Sequence, residues 1–329
     1  MPARARSCTA LRHEFWYVVP DDAICVRTND PRLASLADRL WERAPLAPVL
    51  PAFRGPVDFA VDVTPGDEDG LAGDPGEEHW QVGPDVVELS LGEVLEARID
   101  CADGRLVARV SSALLGAEPA LVARLLFEAP VGALLARRSY GVVHAGAITG
   151  PRGAVVVRGA PGAGKSTLVA AAHQAGLGVL ADEAILVARH DPDELLAAVR
   201  EVTLLPDAAR LLGLEAVVTA VGSPRRVKRR LDLFASSTPA RRQARRVASV
   251  VLGARAGGPA RLEPLAPEAF LEEFDRGAIV QEDWGGPSAN IAAHWSRHGA
   301  YRLSGASDLA GAVRLLGHLT EVPAVRGRA

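Results

Sequence analysis

The segment Gly159-Ala160-Pro161-Gly162-Ala163-Gly164-Lys165-Ser166-Thr167 constrains this chain more than any other. It has the spacing GxxxxGK[ST], follows the hydrophobic run Ala154–Val157, and leads into an alanine-rich segment that ends at Gly176. A glycine loop between a buried strand and a helix start is the pattern of a phosphate loop. Glycine reaches positive φ without a Cβ penalty, so successive backbone N–H groups turn inward around an anion. The helix start adds the positive end of its dipole. On this reading Lys165 reaches the outer phosphates of a nucleoside triphosphate and the Ser166 hydroxyl ligates Mg²⁺. ATP and Mg²⁺ are the expected cofactors.

A phosphate loop needs a nearby acid for metal and chemistry, and Gly178-Val179-Leu180-Ala181-Asp182-Glu183 supplies two directly after the predicted helix. The reading places that strand beside the phosphate-loop strand, with Asp182 as catalytic carboxylate and Asp182 and Glu183 as metal-ligand candidates. Neighbouring residues of a strand point to opposite faces, so both acids serve together only where the strand is ending. Upstream, Val142-Val143-His144-Ala145-Gly146 places His144 on the strand preceding the loop strand, at a sheet end.

His144 in VHAGAI, the loop GAPGAGKST and the acidic pair in GLGVLADEAILV occur in the order and spacing of HPr kinase/phosphorylase and its relatives, which the chain resembles over roughly 140–273. The stretches LLPDAARLLG, VKRRLDL and ASVVLGARAGGPARLEPL also look like divergent, HPr kinase-like members. The resemblance implies an α/β phosphate-loop kinase domain in a fold related to phosphoenolpyruvate carboxykinase. It implies that Asp182 acts as base toward a substrate hydroxyl, that its neighbour binds metal, and that His144 works on the phosphate side. Family members are often oligomeric, which makes a homo-oligomer the expectation. Two departures stand out: the family's second acid is usually aspartate and here is Glu183, and its glycine-rich, glutamate-containing HPr-recognition signature is missing. HPr is therefore a poor guess at the acceptor.

The 329 residues predict about two domains. From His13 to Ser112 the text is β-like, with candidate strands FWYVV, AICVRT, DFAVDV, VVELSL, EARIDC and RLVARVS. EARIDC and RLVARVS flank Ala102-Asp103-Gly104, a hairpin turn. One helix is predicted over Leu33–Arg43 and a terminal one over Asp308–Leu319. The acidic loop Thr64–Glu78 reads as solvated. At Glu118 the period becomes helical, with Pro130 interrupting or ending a segment. The boundary is placed there: 1–117 a β-rich (α+β) domain, 118–329 the phosphate-loop domain, whose alternating strands and helices argue for an α/β core.

With 48% hydrophobic residues the chain can bury a sizeable core, and its net charge of −3 makes a nucleic-acid partner a poor expectation. Cys8, Cys25 and Cys101 are too widely spaced for a disulfide framework and read as reduced thiols. No uncharged run approaches the roughly 20 residues a bilayer requires. The basic start lacks the apolar run of a signal peptide, and the chain reads as cytoplasmic. Ser223–Arg246 carries nine basic residues against Asp232 alone. Such a loop can close over a triphosphate, with Lys228 and Arg229 as the leading clamp candidates. His294 and His298 lie four apart without an acid signature and read as structural.

The function expected is Mg-ATP-dependent transfer of a phosphoryl group to a hydroxyl, foremost a serine of a protein or peptide, with a natural-product precursor peptide or a small molecule as further acceptors. The rivals are a nucleotide-binding regulatory module without transfer chemistry and an ATPase that drives a partner.

Overall fold

A computed structural model describes residues 11–19, 22–44, 57–66, 77–138, 140–197, 201–215, 219–221, 228–232, 243–253, 257–278, 288–305 and 307–321. The chain divides into two units, Met1–Leu134 and Leu135–Ala329. The helical stretch after Glu118 thus packs mostly with the first unit, C-terminal to the change of period that marks it in the sequence.

In the first unit, alternation of apolar and polar residues builds one mixed eight-stranded sheet. Its strands are β1 (His13–Val19), β2 (Asp22–Thr28), β3 (Glu42–Ala44), β4 (Val57–Thr64), β5 (Glu78–Val82), β6 (Val86–Leu91), β7 (Leu95–Asp100) and β8 (Arg105–Ser111). Their order is β3-β1-β2-β4-β8-β7-β6-β5. β4 shows the period: Val57, Phe59, Val61 and Val63 are buried while the residues between them are half-buried. The β7–β8 hairpin turns at Gly104, φ 67°, as its Asp-Gly chemistry predicts, and Asp100 Oδ1 accepts from the Ala102 and Asp103 amides. Helices α1 (Arg32–Leu40), α2 (Ser112–Ala117) and α3 (Pro119–Ala123) complete the unit. α1 stops short of the predicted Arg43 because Trp41 turns extended and Glu42–Ala44 joins the sheet edge beside β1.

Beyond α3 the helix passes through a π turn at Arg124–Glu128 into α4 (Ala129–Arg138), so Pro130 neither ends nor interrupts it. The wider turn removes the demand for a regular amide bond where proline has no N–H to give. Phe127 from this turn stacks on Phe59 and meets Trp41 edge-on, at centroid distances of 6.4 and 5.6 Å. Pro119–Arg137 is long and apolar enough to cross a membrane at mean hydropathy 1.5, yet 61% of that window is buried inside the protein. Cys25 and Cys101 are buried, and burial first, then Glu14 and Asp58, pushes Cys25 up to about 11.

The second unit holds a mixed nine-stranded sheet and a small three-stranded one. The large sheet is built from β9 (Tyr140–Val143), β10 (Gly146–Gly150), β11 (Gly153–Arg158), β12 (Gly178–Ala181), β13 (Ile185–Ala188) and β14 (Glu194–Ala197). The small sheet is β15 (Glu201–Leu204), β16 (Thr219–Val221) and β17 (Lys228–Asp232), with β17 in the middle. β18 (Gln243–Leu252), β19 (Arg261–Pro264) and β20 (Ala300–Ser304) return to the large one, ordered β12-β10-β11-β18-β14-β13-β9 with β20 and β19 beside β18. Helices α5 (Lys165–Gln174), α6 (Pro206–Leu211), α7 (Pro267–Asp275), α8 (Ser288–Ser296) and α9 (Leu309–Glu321) follow in chain order. Leu168 and Val169 of α5 and Leu316 of α9 pack with Val155 and Val157 of β11. Phe270, Phe274 and Trp295 of α7 and α8 join the core of Val156 on the other side. A strand between two such layers is apolar throughout, which is why β11 reads GAVVVR.

The sheet corrects one expectation. β12, which leads to Asp182, does not lie beside the phosphate-loop strand: β10 stands between them, and the parallel neighbour of β11 is β18.

Candidate active site around the glycine loop

The loop Gly159–Gly164 leaves the end of β11 and enters α5 at Lys165. Gly162 (φ 80°) and Gly164 (φ 102°) take the positive φ that a side chain would resist. Gly159 is confined instead: a Cβ there would lie 3.1 Å from both Ala163 and Leu252 Cβ. Lys165 is buried, and its ammonium donates to the Gly159 carbonyl at 2.8 Å, inside the loop's own curve. Ala160, Pro161 and Gly162 are exposed, and Ala163, Gly164, Ser166 and Thr167 are partly so. A cation and a helix start at the base of an open glycine turn are groups that could receive a multiply charged anion.

The acids arrive by a break in a strand ladder. Val143 pairs with Ile185 and Ala147 with Ala181 in one common register, yet residues 144–146 and 182–184 between them do not pair with each other. The β9–β10 and β12–β13 crossings both open at this point, and the opening contains His144, Asp182 and Glu183. His144 therefore sits between β9 and β10 rather than on the strand before the loop strand, a correction caused by this opening. Glu183 is the one non-glycine residue at positive φ among the described residues, at 67°. That reversal is what lets two adjacent acids serve one place. Its carbonyl accepts from His144 Nδ1 at 2.6 Å, and its carboxylate Oε1 accepts from the Thr203 hydroxyl at 2.9 Å.

Asp182 is buried at 1% exposure, its Oδ2 3.4 Å from the Thr203 amide. Burial first, and then the charge of Glu183, push its pKa up to about 7, while the Ser166 hydroxyl and the Thr203 and Glu183 amides hold it back. Its Oδ1 is a buried carboxylate oxygen without a hydrogen-bond partner. A carboxylate that meets the Ser166 hydroxyl and keeps one oxygen unengaged suits a small hard cation, and Asp182, Ser166 and Glu183 are the side chains here that could ligate one. Among the described residues no group of three or more His, Cys, Asp or Glu side chains converges into a metal cage. Mg²⁺ at phosphate sites needs only one or two carboxylates, with waters and phosphates completing its shell.

Two site residues escaped the sequence reading. Thr203, on β15 of the small sheet, is remote in sequence, and nothing local marks it. Arg158 is buried at 1% exposure just before the loop, where a charged residue ending an apolar strand was a usable signal. Its guanidinium lies 3.7 Å over the Phe274 ring and donates to the carbonyls of Phe274 (2.6 Å) and His144 (3.3 Å). It thus ties the loop strand to α7 and to the His144 crossing.

The basic segment is not one loop. Lys228 and Arg229 lie on β17, where Arg229 pairs with Leu204 and Arg230 with Thr203, so the ladder brings this strand's backbone to the residue that contacts both acids. The side chains of Lys228 and Arg229 lie outside the described residues, as do Arg225, Arg226, Arg241, Arg242 and the segment Gln281–Gly286. Arg245 and Arg246, on β18, pair with Asp191 and with Asp193 at 2.6 and 2.7 Å. His294 lies 3.2 Å from Asp193 and its ring is 4.9 Å from that of His298, away from the loop in the same polar cluster as Arg246.

The chain matches no protein-family model and no curated protein. The sheets and site geometry define it as a mixed α/β protein with a glycine loop between strand and helix and a buried acid near it.

Proposed function

We propose that the protein is an Mg-ATP-dependent phosphotransferase whose acceptor is a hydroxyl, foremost a serine side chain of a protein or peptide, in the manner of the HPr kinase-like family it resembles. The observation that carries this reading is Asp182: a carboxylate buried beside the phosphate loop, with a pKa pushed up to about 7, within reach of Ser166. A group poised near neutrality is suited to take a proton from an alcohol. Lys165 and the loop amides hold the triphosphate. Asp182 removes the hydroxyl proton as the oxygen bonds to the γ-phosphorus, and the bond to the β–γ bridging oxygen breaks to release ADP. His144, whose Nδ1 donates to the Glu183 carbonyl, is the phosphate-side residue of this reading. Ser166, Asp182 and Glu183 would hold Mg²⁺, which when bound neutralises phosphate charge.

The test is incubation with γ-labelled ATP, Mg²⁺ and a panel of seryl peptides and small alcohols. Label on an acceptor, lost with Asp182→Asn, supports the reading. ATP binding with neither hydrolysis nor transfer overturns it, and hydrolysis with no labelled acceptor makes the protein an ATPase.

A further inference from the structure

One residue of the small sheet reaches both acids, and it does so with two different donors. The Thr203 hydroxyl donates to Glu183 Oε1 at 2.9 Å, and the Thr203 amide to Asp182 Oδ2 at 3.4 Å. β15 lies at the edge of the order β15-β17-β16, so its outward amides have no ladder partner within that sheet. The amide of Thr203 meets a carboxylate instead. In a strand the amide lies in the plane of the sheet while the side chain stands out of it, so the two donors diverge. Two acids adjacent in sequence are therefore held by one residue from two directions. A threonine that merely satisfied a carboxylate would need one donor and one acid.

The mounting of Thr203 is rigid. Val202 and Leu204, on either side of it, are 0% and 1% exposed and belong to the core that contains Leu168 and Val169 of α5. Thr203 is thus fixed relative to the helix that begins at the glycine loop. Asp182 is tied to the same helix directly, through the Ser166 hydroxyl. Glu183 stands at φ 67° and carries its carboxylate on a long rotatable stem. A hydroxyl that captures one of its oxygens fixes the direction in which the other is offered.

We propose that Thr203 is the positioning residue of this acid pair: its hydroxyl aims the Glu183 carboxylate at the Mg²⁺ of the nucleotide, and its amide holds Asp182 in place beside it. The inference rests on the phosphotransferase reading above and adds what that reading lacks, the group that makes Glu183 a metal ligand. Partners that orient a ligating carboxylate in this way change metal affinity by about 10- to 100-fold.

The experiment is calorimetric titration of the full chain with adenylyl imidodiphosphate, with and without Mn²⁺. Each protein then yields a metal-free affinity and the gain that Mn²⁺ adds. Thr203→Val keeps the shape and the amide but removes the hydroxyl, and Thr203→Ser restores it. The expected Mn²⁺ gain is about ten-fold smaller in Thr203→Val and within about three-fold of wild type in Thr203→Ser. Metal-free affinity stays within about two-fold of wild type in both. Glu183→Asp, shorter by one methylene, misses the hydroxyl and loses a similar part of the gain. The double variant is then no worse than Glu183→Asp alone, because both substitutions remove the same interaction.

An undiminished gain in Thr203→Val, equal losses in the valine and serine variants, or losses that add in the double variant overturn the positioning role and leave nucleotide binding standing. A wild-type protein that does not bind the analogue, or binds it no better with Mn²⁺, overturns the phosphotransferase reading and the positioning role with it. If Thr203→Val fails to fold, as its melting curve reports, Glu183→Asp decides alone, and an unchanged Mn²⁺ gain there sinks the proposal.

Discussion

The Nδ1 of His144 lies 2.6 Å from the carbonyl oxygen of Glu183, across the gap where two paired strands part. A carbonyl only accepts, so Nδ1 carries the hydrogen and the imidazole orientation is set by the backbone of the second acid. Glu183 in turn stands at φ 67°, a conformation that costs a side-chain-bearing residue about 1 kcal/mol or more. Histidine, strained acid and buried acid are therefore one unit, and altering any of them disturbs the others.

Asp182 should make stability fall with rising pH. Its folded pKa, about 7, stands above the ordinary aspartate value of 3.8, so the folded state holds a proton that the unfolded state has already released. Stability is then full below pH ~4, declines through the interval up to about pH 7, and levels off above it. Asp182→Asn, which resembles the protonated acid, should flatten that decline in metal-free thermal melts. The same variant should lose about 10²–10⁴ in phosphoryl transfer. A wild-type stability that instead rises between pH 4 and 7, with no change in slope on substitution, would sink this assignment.

Lys165→Ala should remove most nucleotide affinity with little change in fold. The ammonium sits on the Gly159 carbonyl and is the loop's own cation, and hydrogen bonds to charged groups are worth about 1.5–3 kcal/mol. That corresponds to roughly ten- to a hundred-fold weaker Mg-ATP binding by calorimetry.

At Glu183, stability and function should part. Glu183→Gly relieves the positive φ and gives up the Thr203 hydrogen bond, two terms of about 1 kcal/mol and opposite sign. Its urea midpoint should stay near wild type while Mg-dependent transfer drops. Glu183→Val, β-branched in the same conformation, should be clearly less stable than the glycine variant. Equal midpoints for the two variants would show that the position carries no strain.

Phe127→Ala tests the first unit. The ring is fully buried between Phe59 and Trp41, and its loss should cost about 3–5 kcal/mol in denaturant unfolding. A cost near zero would mean that the π turn does not belong to that core.

The glycine loop between strand and helix was legible because its signal is local: glycines, lysine and serine at fixed spacing between an apolar strand and a helix. The β-strands of the first unit were legible for the same reason, since period-two burial in β4 and the Asp-Gly turn at Gly104 are written in neighbouring residues. β5 was not, because Glu78–Val82 is an edge strand with most of its side chains in solvent and no buried face to leave a pattern. The predicted C-terminal turn of α1 failed where Glu42–Ala44 found a strand partner, an attraction with no local signature. Pro130 failed as a stop because a π turn one step earlier absorbs it.

By itself the sequence determined that a glycine loop joins an apolar strand to a helix, that two acids follow it closely, and that a β-rich segment precedes both. Only the tertiary structure decided that β10 separates the acid-bearing strand from the loop strand. It also decided that a ladder opens in register to gather His144, Asp182 and Glu183, and that Thr203 arrives from another sheet to contact both acids. The physical reason is range. Backbone conformation and hydrophobic period act between residues a few positions apart, whereas the burial that raises Asp182 depends on which strands pack around it.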